Sequence, residues 1–401
     1  MVLYSHDTQG LGHVRRNLLI ARALAGRDGH PTILLLSGVH EAAAFAFPEG
    51  VDCLTLPSLG KDTRGGYFPR SLAVTMDELI RLRSKIILAA VRSFEPNLFI
   101  ADKVPLGAFN ELRPALRALR FHGRTRTVLG LREILDDPQT VAREWREAGY
   151  DSAIRRHYDQ IWIYGDREVY DANAEYSLAP DIASKVRYTG YLNPLEGWLD
   201  EHRNALENQQ ILTELSLPGG RLMLCVVGGG RDGVPLAEAF LLASLPSRAS
   251  GLLITGPLMP ATAQARLRRL AERHPRMRVR EFVTDPLPYM RRASRIIAMG
   301  GYNTMCEVVA CGKPALIVPR VEPRTEQLIR AERFAARKLV HMLHPAGLCP
   351  GAVSEWLGRN GVSAARGTEV VDFSGLSRLP ELAREVLELG PRHPESVHAG
   401  E

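Results

Sequence analysis

Short aliphatic and β-branched runs alternate along this chain with longer stretches whose apolar positions recur every three or four residues. That alternation marks parallel βαβ units: a strand buried on both faces is apolar throughout, while its covering helix is apolar along one stripe. In the first half the predicted strands are 2–6, 32–37, 51–56, 98–101, 126–131, 160–164 and 186–191. Between them Leu72, Met76, Leu79, Ile86 and Ala90 predict a helix over 72–93, which Glu95-Pro96 stops before the strand Leu98-Phe99-Ile100.

A second series follows the polar stretch Asp200 to Asn208 and the turn Pro218-Gly219-Gly220, with predicted strands 221–227, 251–255, 277–282, 295–299, 314–318 and 339–343. Each half opens with a strand, a glycine-rich loop and a helix. Val2-Leu3-Tyr4 leads into Gly10-Leu11-Gly12-His13, and Leu222-Met223-Leu224 into Gly228-Gly229-Gly230. The expected organisation is an N-terminal Rossmann-like domain over 1–195, a linker at 196–217 and a C-terminal Rossmann-like domain over 218–375. A last helix at 376–390, with Leu379, Leu382, Val386 and Leu387 on one face, is expected to pack back on the first domain. The Pro- and polar-rich tail 391–401 is expected to be disordered.

A length of 401 residues suits two such domains better than one core. The formal net charge of +6 favours anionic partners without naming them, and the basic residues are dispersed, without the aromatic interleaving of a nucleic-acid surface. No nucleic-acid partner is expected. Five cysteines form no C-x-x-C pair and no Cys/His cluster, which predicts reduced thiols in a cytosol. The chain opens directly on a strand without a basic-then-apolar leader, and no apolar run reaches the length of a membrane span. The expected location is cytoplasmic, with peripheral contact to the inner membrane face compatible with that.

The segment richest in chemistry is Met299-Gly300-Gly301-Tyr302-Asn303-Thr304-Met305-Cys306-Glu307, continuing to Gly312-Lys313-Pro314 and Pro319. A buried strand, two glycines and a helix start let a phosphate approach the backbone and meet the positive helix end. Glu307, a turn further in, could accept both hydroxyls of a ribose. The competing reading is a capping box, in which Thr304 and Glu307 satisfy only their own helix start. After Pro319 comes Thr325-Glu326-Gln327-Leu328-Ile329-Arg330-Ala331.

The pattern Gly-Gly-x-x-Thr, Glu, Gly-x-Pro, Pro, Glu-Gln, Arg-Ala resembles the donor-binding segment of glycosyltransferase family 28, which includes the bacterial enzyme that adds N-acetylglucosamine to the lipid precursor of peptidoglycan. The resemblance is close over this stretch and looser over the βαβ plan. It implies the GT-B fold, two Rossmann-like doubly wound α/β domains facing a cleft, with UDP held by the C-terminal one. Gly300, Gly301, Asn303 and Thr304 would then meet the phosphates and Glu307 the ribose, while Glu326 and Gln327 would face the sugar. Phe282 and Val283 would edge the uracil.

Gly228-Gly229-Gly230-Arg231-Asp232-Gly233 also satisfies G-x-G-x-x-G after a strand. The acidic residue that NAD recognition wants at the end of the next strand is missing, since 251–257 reads Gly-Leu-Leu-Ile-Thr-Gly-Pro. A nucleoside diphosphate sugar needs only the glycines, so Gly229, Gly230 and Arg231 join the expected donor set. A ligand-free tight turn is the other reading.

In the N-terminal loop, Gly12 brings the backbone close to a ligand and joins the expected donor-binding residues, and His13 sits at a helix start, where the positive end favours a neutral imidazole able to act as base. By resemblance His13 is the loop histidine of the family, expected to take the acceptor's proton or to orient acceptor and phosphate. Asp7 or Asp102 could orient its ring, and both also fit helix caps. His13 and Asp102 form the catalytic pair that this reading requires. The Gly-x-Gly-His-x-x-Arg form departs from the Gly-Gly-x-Gly-Gly-His form of the peptidoglycan enzyme and is closer to a nucleotide-sugar hydrolase of the pseudaminic-acid pathway, where the histidine would activate water. Lys61 and Arg64 in the loop Gly60 to Tyr67, Lys103 after a buried strand and Arg132 beside another form an expected acceptor side suited to a phosphate or carboxylate.

No D-x-D, H-E-x-x-H, G-x-S-x-G or Walker A sequence is present, and helix ends can neutralise a diphosphate, so no metal or cofactor is expected. The function read from these residues is inverting, metal-independent transfer of a sugar, N-acetylglucosamine or a related hexose, from a UDP-sugar donor to an unidentified acceptor, anionic or lipid-linked. The alternatives are a nucleotide-sugar hydrolase or epimerase on the same fold, and a non-catalytic nucleotide-sugar or nucleic-acid binding protein.

Overall fold

The computed structural model describes residues 1–6, 12–26, 31–61, 66–196, 217, 220–230, 232–283, 285–361 and 370–389, except for the side chains of 43, 44 and 61. The chain divides into two compact units, Met1–Leu192 with Ser374–Glu401, and Asn193–Phe373. Apart from Glu196 and Leu217, the linker read at 196–217 lies outside the described residues, as does the tail at 391–401.

The strands of the first unit are β1 (Val2–Ser5), β2 (Ile33–Ser37), β3 (Val51–Thr55), β4 (Leu59–Lys61), β5 (Tyr67–Pro69), β6 (Leu98–Asp102), β7 (Arg126–Arg132), β8 (Gln160–Tyr164) and β9 (Val186–Tyr188). Seven form a parallel sheet in the order β3-β2-β1-β6-β7-β8-β9. The loop expected at Gly60 to Tyr67 is instead flanked by a small antiparallel pair, β4 with β5, in which Lys61 opposes Tyr67. Alternation over such short segments was masked by the glycines. Helix α1 (Gly12–Ala25) covers β1 and β2, and the last helix, Gly375–Glu388, lies against α1.

Helix α2 (Met76–Phe94) starts four residues later than the periodicity suggested, because Thr75 and Glu78 close a reciprocal capping box. Leu72 is left outside it and exposed. The buried stripe of α2 is Leu79, Arg83, Ile87 and Val91, so an arginine occupies a core position. Its guanidinium grips Glu111 through Nε at 2.5 Å and Nη2 at 2.7 Å, and donates to the Pro57 carbonyl at 2.6 Å. Tyr4 of β1 donates its hydroxyl to the same carboxylate. Burial, and then the neighbouring Glu111 charge, push the phenol's pKa well above its ordinary value and keep that proton in place. Glu111 precedes helix α3 (Arg113–His122), so one fully enclosed ion pair ties β1, α2 and α3 together.

The second unit holds β10 (Arg221–Val226), β11 (Ala249–Ile254), β12 (Met277–Arg280), β13 (Arg295–Ala298), β14 (Ala315–Ile317) and β15 (His341–Met342), all parallel, in the order β12-β11-β10-β13-β14-β15. Its core packs Phe240, Leu253, Met277 and Trp356 around the sheet. Burying each such large side chain contributes roughly 1.5–3 kcal/mol. Among the described residues no helix is long and apolar enough to cross a membrane.

Both sheets have the doubly wound order in which the chain leaves the first strand in one direction and returns on its other side. The reversal lies between β1 and β6 in one unit and between β10 and β13 in the other. Ligands of open α/β sheets bind outside the carboxyl ends of the strands at that reversal. Topology therefore marks one crevice in each unit.

Candidate functional site

In the first unit the marked position is where β1 delivers His6, β6 delivers Asp102 and α1 delivers His13 and Arg16. His13 Nδ1 lies 2.5 Å from Asp102 Oδ2, and Arg16 Nη2 reaches both oxygens of that carboxylate at 2.6 and 2.7 Å. Asp102 and Arg16 are buried, whereas 18% of the His13 side chain remains exposed. Arg16 Nη2 also lies 2.9 Å from Nδ1, but Asp102 can only accept; assigning the Nδ1 proton to that carboxylate leaves Nε2 with a lone pair. Burial alone would raise the Asp102 pKa, but the charges of Arg16 and His13 and their hydrogen bonds outweigh it and hold it well below the usual carboxylate range.

Of the two carboxylates that could orient the ring, Asp102 does so, while Asp7 lies outside the described residues. Arg16 was missed as a partner. Its spacing of three residues from His13 places both on one face of α1, a signal the Gly-x-Gly-His-x-x-Arg pattern carried. Arg16 also sits 5.8 Å from the centre of the Tyr164 ring. Gly130 of β7 is required there, because a Cβ on it would fall 2.2 Å from the Tyr164 hydroxyl.

Lys103 follows Asp102 with φ of 70°, a left-handed conformation costly for a non-glycine residue, and its amide donates to the Gly130 carbonyl at 2.7 Å. Arg132 ends β7, half-buried. Gly12 opens α1 and is exposed. The Lys61 side chain and Arg64 lie outside the described residues.

His6 is buried with its ring centre 5.1 Å from that of His13. Burial, and secondarily the charge of His13, hold its pKa well below the usual 6.5. A histidine whose folded pKa is depressed takes up its proton only in the unfolded chain, so stability falls as pH drops below the unfolded value. Asp102 adds to this at lower pH: its contribution is complete above the unfolded pKa near ~3.9 and is lost progressively as pH falls from there through the lower folded value. Urea denaturation across pH should show stability declining from about pH 6.5 downward, with a shallower decline in His6→Gln. A flat profile down to about pH 4.5 would contradict the buried neutral imidazole.

In the second unit, the loops after β10, β13 and β14 converge. Gly228 and Gly230 have φ of 61° and 93°, and a Cβ on Gly230 would lie 2.1 Å from the Thr255 carbonyl. The Gly-rich turn thus packs tightly on the turn after β11, where Leu258 N–H donates to the Gly229 carbonyl at 2.9 Å. Arg231 lies outside the described residues.

Gly300 and Gly301 differ in role. A Cβ on Gly300 would strike the Gln327 carbonyl at 2.8 Å, whereas a Cβ on Gly301 would meet nothing within 4 Å. Gly301 caps the helix Tyr302–Ala310 with extended φ and ψ and no side-chain cap. The capping-box reading therefore fails: Thr304 is the third residue of the helix and Glu307 the sixth, too far in to reach the cap. Glu307 is only 4% exposed, and Asn303 and Thr304 are half-buried at the helix start.

The helix Glu326–Ala336 is pinned to this turn by Arg330, which is fully buried and donates to the Gly300 carbonyl at 3.1 Å. Glu326 accepts from Arg320 at 2.6 Å, Arg320 reaches Asp232 of the Gly-rich loop at 3.1 Å, and the Gln327 amide oxygen accepts from the Arg320 N–H at 3.2 Å. Arg320 and Asp232 were missed in the sequence, and only the fold brings them beside Glu326. Phe282 and Val283 follow β12, with Phe282 39% exposed.

Residues 223–355 match the glycosyltransferase family 28 C-terminal domain, which spans both glycine turns of the second unit. Over 332 residues the chain is 21% identical to an uncharacterized glycosyltransferase of Methanosarcina mazei, covering 78% of this chain and 77% of the relative. CalG4, the calicheamicin glycosyltransferase, has a similar crystal structure, with a TM-score of 0.60, 15% identity, and coverage of 97% of this chain and 98% of that one. A protein of Listeria monocytogenes provisionally classed as a UDP-N-acetylglucosamine 2-epimerase gives a TM-score of 0.62 at 12% identity, with 99% of each chain covered. At these identities the two structures establish the fold.

Proposed function

We propose that this chain, a glycosyltransferase of the GT-B fold with a family 28-like second unit, moves N-acetylglucosamine or a related hexose from UDP to an acceptor hydroxyl, with inversion and without a metal. The observation that supports this most is Gly301: an uncapped helix start with open space where a side chain would be, six residues before buried Glu307 and inside the family 28 match.

In this reading the leaving diphosphate lies against the first amides of the Tyr302–Ala310 helix. Those amides have no carbonyl partner within the helix, and the helix dipole favours negative charge there. Glu307 accepts the ribose hydroxyls. In the first unit His13 Nε2 takes the proton of the acceptor hydroxyl as its oxygen bonds to the anomeric carbon and the carbon–diphosphate bond breaks. A single displacement of that kind inverts the anomeric centre. Asp102 stabilises the imidazolium that forms, and Arg16 keeps the buried carboxylate from being uncompensated.

A thermal-shift screen of UDP, GDP, dTDP and their sugars tests the donor. A nucleotide at a hundred times its Kd stabilises by about 2.7 kcal/mol, so UDP and UDP-sugars should raise the melting temperature while the other two classes do not. A response to GDP or dTDP alone would contradict the donor assignment. The Gly-x-Gly-His spacing keeps a hydrolase as the second reading. Complete turnover of UDP-sugar without acceptor would establish it, and a slow leak that an acceptor accelerates would support transfer.

A further inference from the structure

The first unit carries a feature whose lining residues are shared with neither crevice. Beside α4 (Pro138–Ala148), between α3 and α5 (Tyr150–His157), lies a cavity of about 80 Å³ lined by Arg113, Arg117, Gly149, Ser152, Arg156 and His157, among others, with no carboxylate in its lining. Arg113 and Arg117 stand one turn apart on α3, and Arg156 comes from α5. Among the described residues these three guanidinium groups have no hydrogen bond or ion pair. Their neighbour Arg155 is different: it is held by Asp181 at 2.5 Å.

We propose that this cavity binds a phosphate-class oxyanion through Arg113, Arg117 and Arg156. Converged like charges without a counter-charge are unfavourable, and the planar guanidinium fork matches the oxygen geometry of a phosphate. Gly149, which joins the helix Pro138–Ala148 to α5 with φ of 63°, leaves that wall of the cavity without a side chain. The Ser152 hydroxyl adds a neutral donor. The positive field extends inward to His157, whose pKa is brought down to about 4 by burial first and then by Arg156, Arg120, Arg117 and Arg113. The volume has room for several water molecules, enough for one tetrahedral oxyanion and too little for a nucleotide. The anion is therefore either a free phosphate group on a soluble molecule or the headgroup phosphate of a lipid.

Titration calorimetry of the full chain with inorganic phosphate, with sulfate as competitor, tests the proposal. The expected result is saturable 1:1 binding that weakens roughly tenfold or more in Arg117→Gln/Arg156→Gln, since each lost contact is a charge-assisted hydrogen bond. The charge-matched control Arg269→Gln/Arg273→Gln, on the second unit, should bind as the parent does. Unchanged melting of the cavity variant shows that its fold is intact. Flotation with phosphatidylcholine vesicles, with and without phosphatidic acid, separates the sources. Phosphatidic-acid-dependent flotation lost in the cavity variant identifies a lipid headgroup, and phosphate binding without flotation identifies a soluble ligand. Neither binding nor flotation, or equal loss in the control variant, overturns the proposal.

Discussion

Replacing His13 by alanine should lower the transfer rate by about 10²–10⁴-fold while leaving UDP affinity unchanged. The size of the effect follows from what the residue supplies: a positioned base for a hydroxyl that is hardly acidic by itself. UDP affinity should hold because the residues expected on the donor, Gly12 excepted, come from the second unit, and the His13 side chain comes from the first. Asp102→Asn should approach the same loss by another route. An amide in place of the carboxylate removes the charge that fixes the Nδ1 proton and stabilises the imidazolium, and it leaves Arg16 buried without its counter-charge. Steady-state kinetics on both variants, beside a UDP titration, make the comparison. Transfer by His13→Ala at the parent rate would remove the imidazole from the chemistry.

The second large effect concerns stability. Glu111→Ala would strand the fully buried Arg83 guanidinium, and breaking a buried pair from one side costs about 3–5 kcal/mol. That is a large share of the roughly 5–15 kcal/mol that holds a domain folded. In a unit of this size it corresponds to a fall in melting temperature of roughly 10–15 °C. Arg83→Met combined with Glu111→Leu should recover most of the loss, since both charges then leave together, although the Tyr4 hydroxyl keeps only its contact with the Ala108 amide. Urea or thermal melts of the single and double variants measure this. A loss below about 1 kcal/mol in Glu111→Ala would show that the pair is not the tie described.

The same ion pair shows where the sequence was readable and where it was not. Strands such as Val2–Ser5 and Leu224–Val226 announced themselves, because burial on both faces leaves an unbroken apolar run. Nearly every strand was therefore placed to within a few residues. The stripe of α2 was misread because Arg83 counts as polar in any periodicity, and nothing local shows that Glu111, 28 residues on, will neutralise it. The sites divide in the same way. Gly300, Gly301, Glu307 and His13 were legible because glycines next to a strand end and a helix start form a local signal. Arg320 and Asp232 are 88 residues apart, and only the order β10-β13-β14 brings their loops together. Rejecting the capping box also needed coordinates, since Thr304 and Glu307 fit one until the helix was seen to begin at Tyr302.

The most direct test of the donor site is UDP binding to Gly301→Ala, measured by calorimetry beside the melting temperature. A methyl group there meets no atom of the protein and the backbone is extended, so the fold should lose only the Gly-to-Ala difference at a helix cap, about 1 kcal/mol. If a diphosphate rests on that backbone, the methyl occupies its place, and UDP affinity should fall by roughly tenfold or more. UDP binding at parental strength in a variant that melts cooperatively would contradict the assignment of this turn as the diphosphate seat.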